Sequence, residues 1–402
     1  MYELAKRILE ETDGEICKHC LGRKLSKAVD GNDNVDRAEK ISREFGIDLE
    51  GKKCSICGNI FDKIDDDLFE KIYDKIDFLS IEFDTFHVGS RIDKEIQKRD
   101  DELSEKLDLD VEQIKKEINR VIGRVLEKSL KKEVEFQSED IVINVDLRRD
   151  AKVRIQINPI FIEGRYNKLV RGIPQTKWPC TKCKGRGCEE CNFTGRQYPE
   201  SVEELISEHI LKATNGYDAK FHGAGREDID VLMLGEGRPF VLEIKEPRIR
   251  KIDLESLEEE INKANEGKTS YHGLKFCKRN RKAEIKVSSP DAYKVYNALV
   301  ECEEAYDKDK LEELKNLDEI HQQTPIRVMH RRADKTRIKH VLDVECEVID
   351  DLSFIMTVKT QGGLYIKELI SGDEERTKPN VGEILGVNAK CTQLDVIEVS
   401  EK

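Results

Sequence analysis

Eight of the twelve cysteines fall into four Cys-x-x-Cys pairs, a spacing that turns two sulfurs toward one tetrahedral ion. Cys180, Cys183, Cys188 and Cys191 lie together in WPCTKCKGRGCEECNFTG. Four thiolates close the coordination shell and leave no open position for water or substrate, so a metal there is structural. The other set, Cys17 and Cys20 in ICKHC with Cys54 and Cys57 in KKCSICG, is split by 33 residues, and His19 is an alternative ligand. Zinc is the expected ion at both, about two per chain, although an iron–sulfur cluster or redox dithiols use the same ligands. Cys277, Cys302, Cys346 and Cys391 stand alone among apolar or strand positions and read as small buried residues.

A second grouping with chemical potential is GAGREDIDVLMLGEGRPFVLEI. It runs from a glycine-bracketed turn through Arg226, Glu227, Asp228 and Asp230 into an apolar stretch, which places acids where a strand begins. Catalytic side chains often sit on such loops, and so do ordinary turn-forming aspartates. Neither Gly-x-Gly follows a strand and opens a helix, which disfavours a dinucleotide site.

The elements that must position these groups fall into three blocks, more than one core's worth of chain for 402 residues. Residues 1–62 carry helical patterns at 3–10 and 36–45 around the first cysteine set, with a helix pair expected between its halves. Residues 63–175 read as an α/β unit. Leu79, Ile81 and Phe83 alternate as a strand, 101–130 has helical spacing, and Ile141–Val145 and Val153–Ile157 are two more strands. A basic and aromatic stretch with Arg165, Tyr166, Lys168, Arg171 and Trp178 closes this block. Residues 176–402 hold the second cysteine set and a strand-rich region. Strands are expected at 229–234 and 238–244, joined as a hairpin by Gly235-Glu236-Gly237, and at 294–302, 341–348 and 353–360, with helices at 202–213 and 253–266. The net charge of -13 excludes a uniformly basic coat, yet Arg327–His340 and Lys275–Lys282 are locally basic enough to meet phosphates. No apolar run reaches membrane-spanning length and the first residues lack a signal core, so a cytoplasmic protein is expected.

Three segments in order resemble the motifs of pseudouridine synthases. GREDIDV is similar to the first, a Gly-Arg-x-Asp pattern whose aspartate is catalytic, here Asp228. KVYNALV resembles the second, whose tyrosine stacks on the target base, here Tyr296. GGLYIKEL resembles the third, whose basic residue pairs with the aspartate, here Lys367, with Leu364 where threonine is usual. SVEELI, HGAGREDIDV, GRPFVLEI, QTPIRVMHRR and YIKELISGDEERTKPN extend the likeness over most of 200–385, and they match one branch, the archaeal and eukaryotic tRNA pseudouridine-54/55 synthases.

That resemblance implies an α+β chain: an N-terminal zinc-bearing module, a THUMP-like α/β RNA-binding domain, then a mixed-sheet catalytic domain. It implies conversion of uridine to pseudouridine at positions 54 and 55 in the tRNA T-arm, without an organic cofactor, protein partner or membrane. Arg226, Arg327, Arg331, Arg332 and Arg376 are the expected substrate contacts. The competing reading is a zinc-stapled RNA-binding protein with no chemistry of its own.

Overall fold

The computed structural model describes residues 2–400 apart from 50, 52 and 288–291, and it is a mixed α+β molecule of two units. One comprises Met1–Pro159 with Glu246–Arg250, the other Ile160–Lys245 with Lys251–Lys402.

In the first unit, helices Tyr2–Glu11, Lys18–Lys24 and Asn34–Phe45 accompany the first cysteine set; the second of them contains Cys20, so one complete helix, Asn34–Phe45, lies between the two cysteine halves where a pair was expected. The Asp33 side chain accepts from the Asp36 amide to start the third helix, and Gly46 in the left-handed region ends it. Gly22 is required where two of these helices meet, since a Cβ there would fall 1.7 Å from the Asn34 carbonyl oxygen. A four-stranded sheet follows, built from β1 (Thr85–Arg91), β2 (Glu133–Val134), β3 (Ile141–Asp146) and β4 (Lys152–Ile157) in the order β2-β1-β3-β4. Helix Ile114–Leu130 covers it with a stripe of Ile114, Ile118, Ile122 and Leu126. Two expectations fail here. Of the strand expected at 79–83, Leu79 ends helix Asp66–Leu79, Ser80 in the left-handed region stops it, 81–83 lie in no regular element, and the strand begins only at Thr85. The single helical pattern over 101–130 is two helices, Lys94–Lys106 and Ile114–Leu130, parted where Asp108 takes a φ of 54°.

The second unit is organised by a ten-stranded mixed sheet. Its strands are β5 (Ile160–Lys168), β6 (Asp218–Gly223), β7 (Leu232–Lys245), β8 (Thr269–Phe276), β9 (Tyr293–Cys302), β10 (Glu319–Gln323), β11 (Thr336–Val348), β12 (Ser353–Gln361), β13 (Thr377–Lys378) and β14 (Ala389–Val399). They run β13-β10-β11-β12-β9-β14-β7-β5-β8, with β6 on β7. Helices Val202–Thr214 and Leu254–Ala264 lie where the periodicity put them. The expected hairpin at Gly235-Glu236-Gly237 is instead one long strand. Met233 and Arg238 both pair with β5, at Lys168 and Tyr166, so the glycines form an irregularity within that pairing, while the other edge passes from β14 at Leu232 and Met233 to β6 at Phe240 to Lys245. The stretch with Tyr166 and Lys168 is strand β5 of this sheet, and both side chains are buried. Cys302 is buried, whereas Cys277, Cys346 and Cys391 are only partly so. Among the described residues no helix is long and apolar enough to cross a membrane.

Charge inside the first unit is matched by geometry. Buried Arg23 donates to Asp100 Oδ1 and Glu117 Oε2, both at 2.6 Å. Burial acts to raise both carboxyls, but Arg23 and Lys24 facing Asp100, and His19 and Arg23 facing Glu117, outweigh it and hold both below the usual range. Breaking a buried pair by removing one partner costs about 3–5 kcal/mol. Arg23→Met is expected to lose about that much in a urea titration. Because the folded carboxyls are depressed, the stabilisation is complete above the unfolded value near ~4 and is lost as pH falls through the folded values. The variant's midpoint should therefore depend less on acid than the wild type's, and equal stability at neutral pH would contradict this account.

Candidate active site

Asp228 sits on the loop between β6 and β7, and buried polar side chains hold that loop by its carbonyls. Lys168 Nζ donates to the oxygens of Ile173 (2.9 Å), Asp228 (3.0 Å) and Ile229 (3.2 Å). Arg238 Nη1 donates to Ala224 (3.0 Å), Gln175 Nε2 to Gly225 (2.9 Å) and Arg171 Nη1 to Asp230 (2.6 Å). Burial pushes the Lys168 ammonium down to about 8, with the Glu227 charge acting the other way.

Glu227, next to Asp228 in sequence, points inward. Its carboxylate takes the Tyr166 hydroxyl at 2.8 and 2.9 Å and Arg238 Nε at 2.9 Å, with the Glu227 side chain 0% exposed. Burial, and then the Glu227 charge, push the Tyr166 phenol well above its ordinary value. Two neighbours on one loop therefore have opposite fates: Glu227 is the anchor, and Asp228, 37% exposed, faces outward.

Two further elements bring cations to Asp228. Arg327, in the 3-10 turn Ile326–Arg331, places Nη1 2.9 Å from Asp228 Oδ2 and Nε 2.6 Å from Glu368 Oε1. Lys367, in the first turn of helix Ile366–Ser371, lies 3.8 Å from Asp228 Oδ2 and 2.7 Å from Asp230 Oδ2. Lys367 thus bridges two acids and favours the second. Burial acts to raise Asp230, but the Lys367 bond outweighs it and holds the carboxyl below its ordinary value. Arg332 Nη1 donates to the Tyr365 hydroxyl at 2.8 Å, and the Arg327 and Arg332 guanidinium groups stand 5.7 and 5.9 Å from the centre of that ring.

Tyr296 lies near the middle of β9, paired with Val396 of β14, which is also paired with Met233 of β7. Two strand spacings, roughly 10 Å, therefore separate it from the strand that Asp228 leads into. It is partly buried, and burial pushes its phenol up, with the charges of Arg238 and Glu227 close enough to act on it. Arg226 is exposed and its guanidinium lies 4.9 Å from the Trp178 ring, just before the second cysteine set. Arg376 is committed to the Thr324 carbonyl (2.8 Å) and Asp334 (2.6 Å). The Arg331 side chain lies outside the described residues.

Both cysteine sets gather their sulfurs within 4.8 Å of one another. Cys180–Cys188 and Cys183–Cys191 are 3.9 Å apart, Cys188–Cys191 3.7 Å and Cys17–Cys57 3.6 Å. A tetrahedron of ~2.3 Å metal–sulfur bonds has edges of about 3.8 Å, so each set could hold one ion. His19 is not part of its set, being stacked on Phe61 and hydrogen-bonded to Glu117.

Sequence reasoning missed Glu227, Arg238, Lys168 and Gln175. For Lys168 and Arg238 the available signal was a charge set within a segment that reads as a strand, GRYNKL and GRPFVLEI; Glu227 and Gln175 had none.

The family model described as Pus10, C-terminal, matches residues 161–400, and that of the archaeal Pus10 THUMP domain matches 68–146. A protein of Methanothermobacter marburgensis named tRNA pseudouridine synthase Pus10 is 52% identical over 98% of this chain and 97% of its own length. The proteins of that name from Methanocaldococcus jannaschii and Pyrococcus furiosus are 49% and 42% identical, over 88% and 99% of this chain and 77% and 97% of their own lengths. With matches that span nearly its whole length, the chain belongs to the archaeal Pus10 family of pseudouridine synthases.

Proposed function

We propose that this protein isomerises uridine to pseudouridine in the T-arm of tRNA, at positions 54 and 55, with Asp228 as the catalytic carboxylate. The observation that carries the reading is a half-exposed aspartate on a loop pinned from behind, with Arg327 at 2.9 Å and Lys367 at 3.8 Å. Both cations hold the carboxylate in place by direct ion pairs. The carboxylate acts at the sugar, as nucleophile or as base, while the N1–C1′ bond breaks. The freed base turns, C5 bonds to C1′ and gives up its proton, and N1 gains one. Product and substrate are isomers, so neither an oxidant nor an organic cofactor enters.

Tyr296 supports the turned-out base by stacking on it. Lys367 and Arg327 hold the carboxylate, and Arg226, Arg331 and Arg332 meet the RNA. Arg376 acts at one remove, because its hydrogen bonds fix the Thr324 carbonyl behind the Arg327 turn. The likeness to proteins named tRNA pseudouridine synthases favours an enzyme over a protein that only binds RNA. The two cysteine sets hold zinc and keep the scaffold, and the cytoplasm is where such an enzyme meets its tRNA.

Asp228→Ala is expected to fold and bind a T-arm transcript while losing at least about 10³-fold in pseudouridine formation. Retained turnover, read by mapping pseudouridine in the treated RNA, would overturn the assignment. Lys367→Ala should fall by about 10²-fold, and Asp230→Asn by far less, since the Lys367 ammonium is then left to Asp228 alone. If Asp230→Asn matches Asp228→Ala, the two acids have been assigned in the wrong order. Elemental analysis of purified protein should find close to two zinc ions per chain, and the Cys180→Ser variant close to one; a wild-type value of one or none would remove a site.

A further inference from the structure

Lys294 precedes Tyr296 by two residues on β9, so the two side chains leave the same face of the strand. Its ammonium reaches the loop that carries Asp228. A Cβ on Gly225 would lie 2.7 Å from Lys294 Nζ and 3.1 Å from Arg238 Nη1, so glycine is what admits the amine. Among the described residues, Lys294 has no carboxylate at ion-pair distance, and neither has Lys339. Burial, then the nearby Arg238, push the Lys294 amine down to about 7; Lys339 acts in the same direction and Glu227 opposes it.

This amine opens on a cavity of about 250 Å³ whose lining includes Gly225, Glu284, Lys286, Tyr293, Lys294 and Gly363. Glu284 accepts from Asn280 Nδ2 at 2.7 Å and lies 3.9 Å from Arg281. Lys286 Nζ is 3.1 Å from His222 Nδ1, and burial first of all lowers His222, which keeps it an uncharged acceptor. At the far side Gly363, at a φ of 96°, would bring a Cβ to 3.4 Å from Lys339 Cε. Glycine backbone and the Lys294 and Lys286 amines therefore line the space, with Lys339 behind Gly363. Confining cations without a counter-ion is costly, and a fold that does so repeatedly leaves room for an anion.

We propose that this cavity is a phosphodiester subsite, in which Lys294, flanked by Lys286 and Lys339, holds the RNA backbone phosphate adjoining the nucleoside presented to Asp228. The inference rests on RNA being the substrate, as proposed above. Lys294 and Tyr296 are about 7 Å apart along the strand, which lets one nucleotide put its base on the tyrosine and its backbone on the lysine. A phosphate fits this site better than a planar carboxylate ligand does, because its tetrahedral oxygens can face ammonium groups from several directions.

The test uses the full chain and a T-arm transcript, with RNA affinity measured against salt concentration. Lys294→Gln is expected to bind about tenfold more weakly and to flatten the log–log salt slope by about 0.7 to 0.9, the loss of one phosphate contact, while Lys294→Arg keeps the slope. A transcript with one uncharged methylphosphonate beside the target uridine should weaken the wild type by about the same factor and leave Lys294→Gln unchanged. An unaltered slope in Lys294→Gln, or equal losses from the methylphosphonate in both proteins, overturns the proposal. Should Lys294→Gln fail to fold, judged by its melting transition, Lys339→Gln is held to the same slope and methylphosphonate criteria. These readouts need no turnover. The predicted slope difference between wild type and Lys294→Gln, with no pseudouridine formed by the wild type, counts against the reaction alone, and wild type that does not bind the transcript overturns both.

Discussion

The second unit depends on an ion pair that water does not reach, Glu227 with Arg238, whose side chains are 0% and 1% exposed. Burying such a pair is tolerable only if the remaining donors and acceptors are also matched. Here the Tyr166 hydroxyl takes the other side of Glu227, Gln175 donates to that hydroxyl, and Arg238 continues to the Ala224 carbonyl. The cost of burial is thereby converted into position. The loop between β6 and β7 cannot shift without stranding a charge, and Asp228 is the next residue along.

A pinned loop gives Asp228 a fixed backbone and an open side chain, and the cations then arrive from elements that are themselves tied down. Arg327 is held by Glu368, which is 5% exposed, and the Thr324 carbonyl just before its turn is held by Arg376. Lys367 is divided between Asp228 and Asp230, so the second acid tempers how much positive field the first one feels. On the proposed reading, the substrate approaches a carboxylate whose direction is already set.

Much of this was legible in the chain. Cysteine spacing is a covalent statement about sulfur positions, and both sets gather as their spacing required. Strands such as β3, β4, β9 and β12 alternate cleanly, and Ile141, Ile143, Ala298, Val300, Phe354 and Met356 are all buried. Legibility failed where burial and polarity part company. Nothing in the sequence marks Lys168 and Arg238 as interior, because charge ordinarily means exposure, yet with Tyr166 they are among the largest fully buried side chains. Gly235-Glu236-Gly237 read as a turn because nothing local reveals that the strand runs on through an irregularity in its pairing with β5. Likewise the sequence places Lys367 in the right company without saying which of two nearby aspartates it prefers, a matter of about one ångström that only tertiary packing decides.

If the buried pair is what aims the carboxylate, then loosening it must harm the chemistry more than the binding. The direct measurement is single-turnover pseudouridine formation by Glu227→Gln, with RNA affinity and melting temperature read on the same preparation. A fall of about 10²-fold or more in rate, with RNA affinity within about threefold and a cooperative melt, is the predicted result. A folded Glu227→Gln protein that turns over at the wild-type rate would show that Asp228 is aimed by something else.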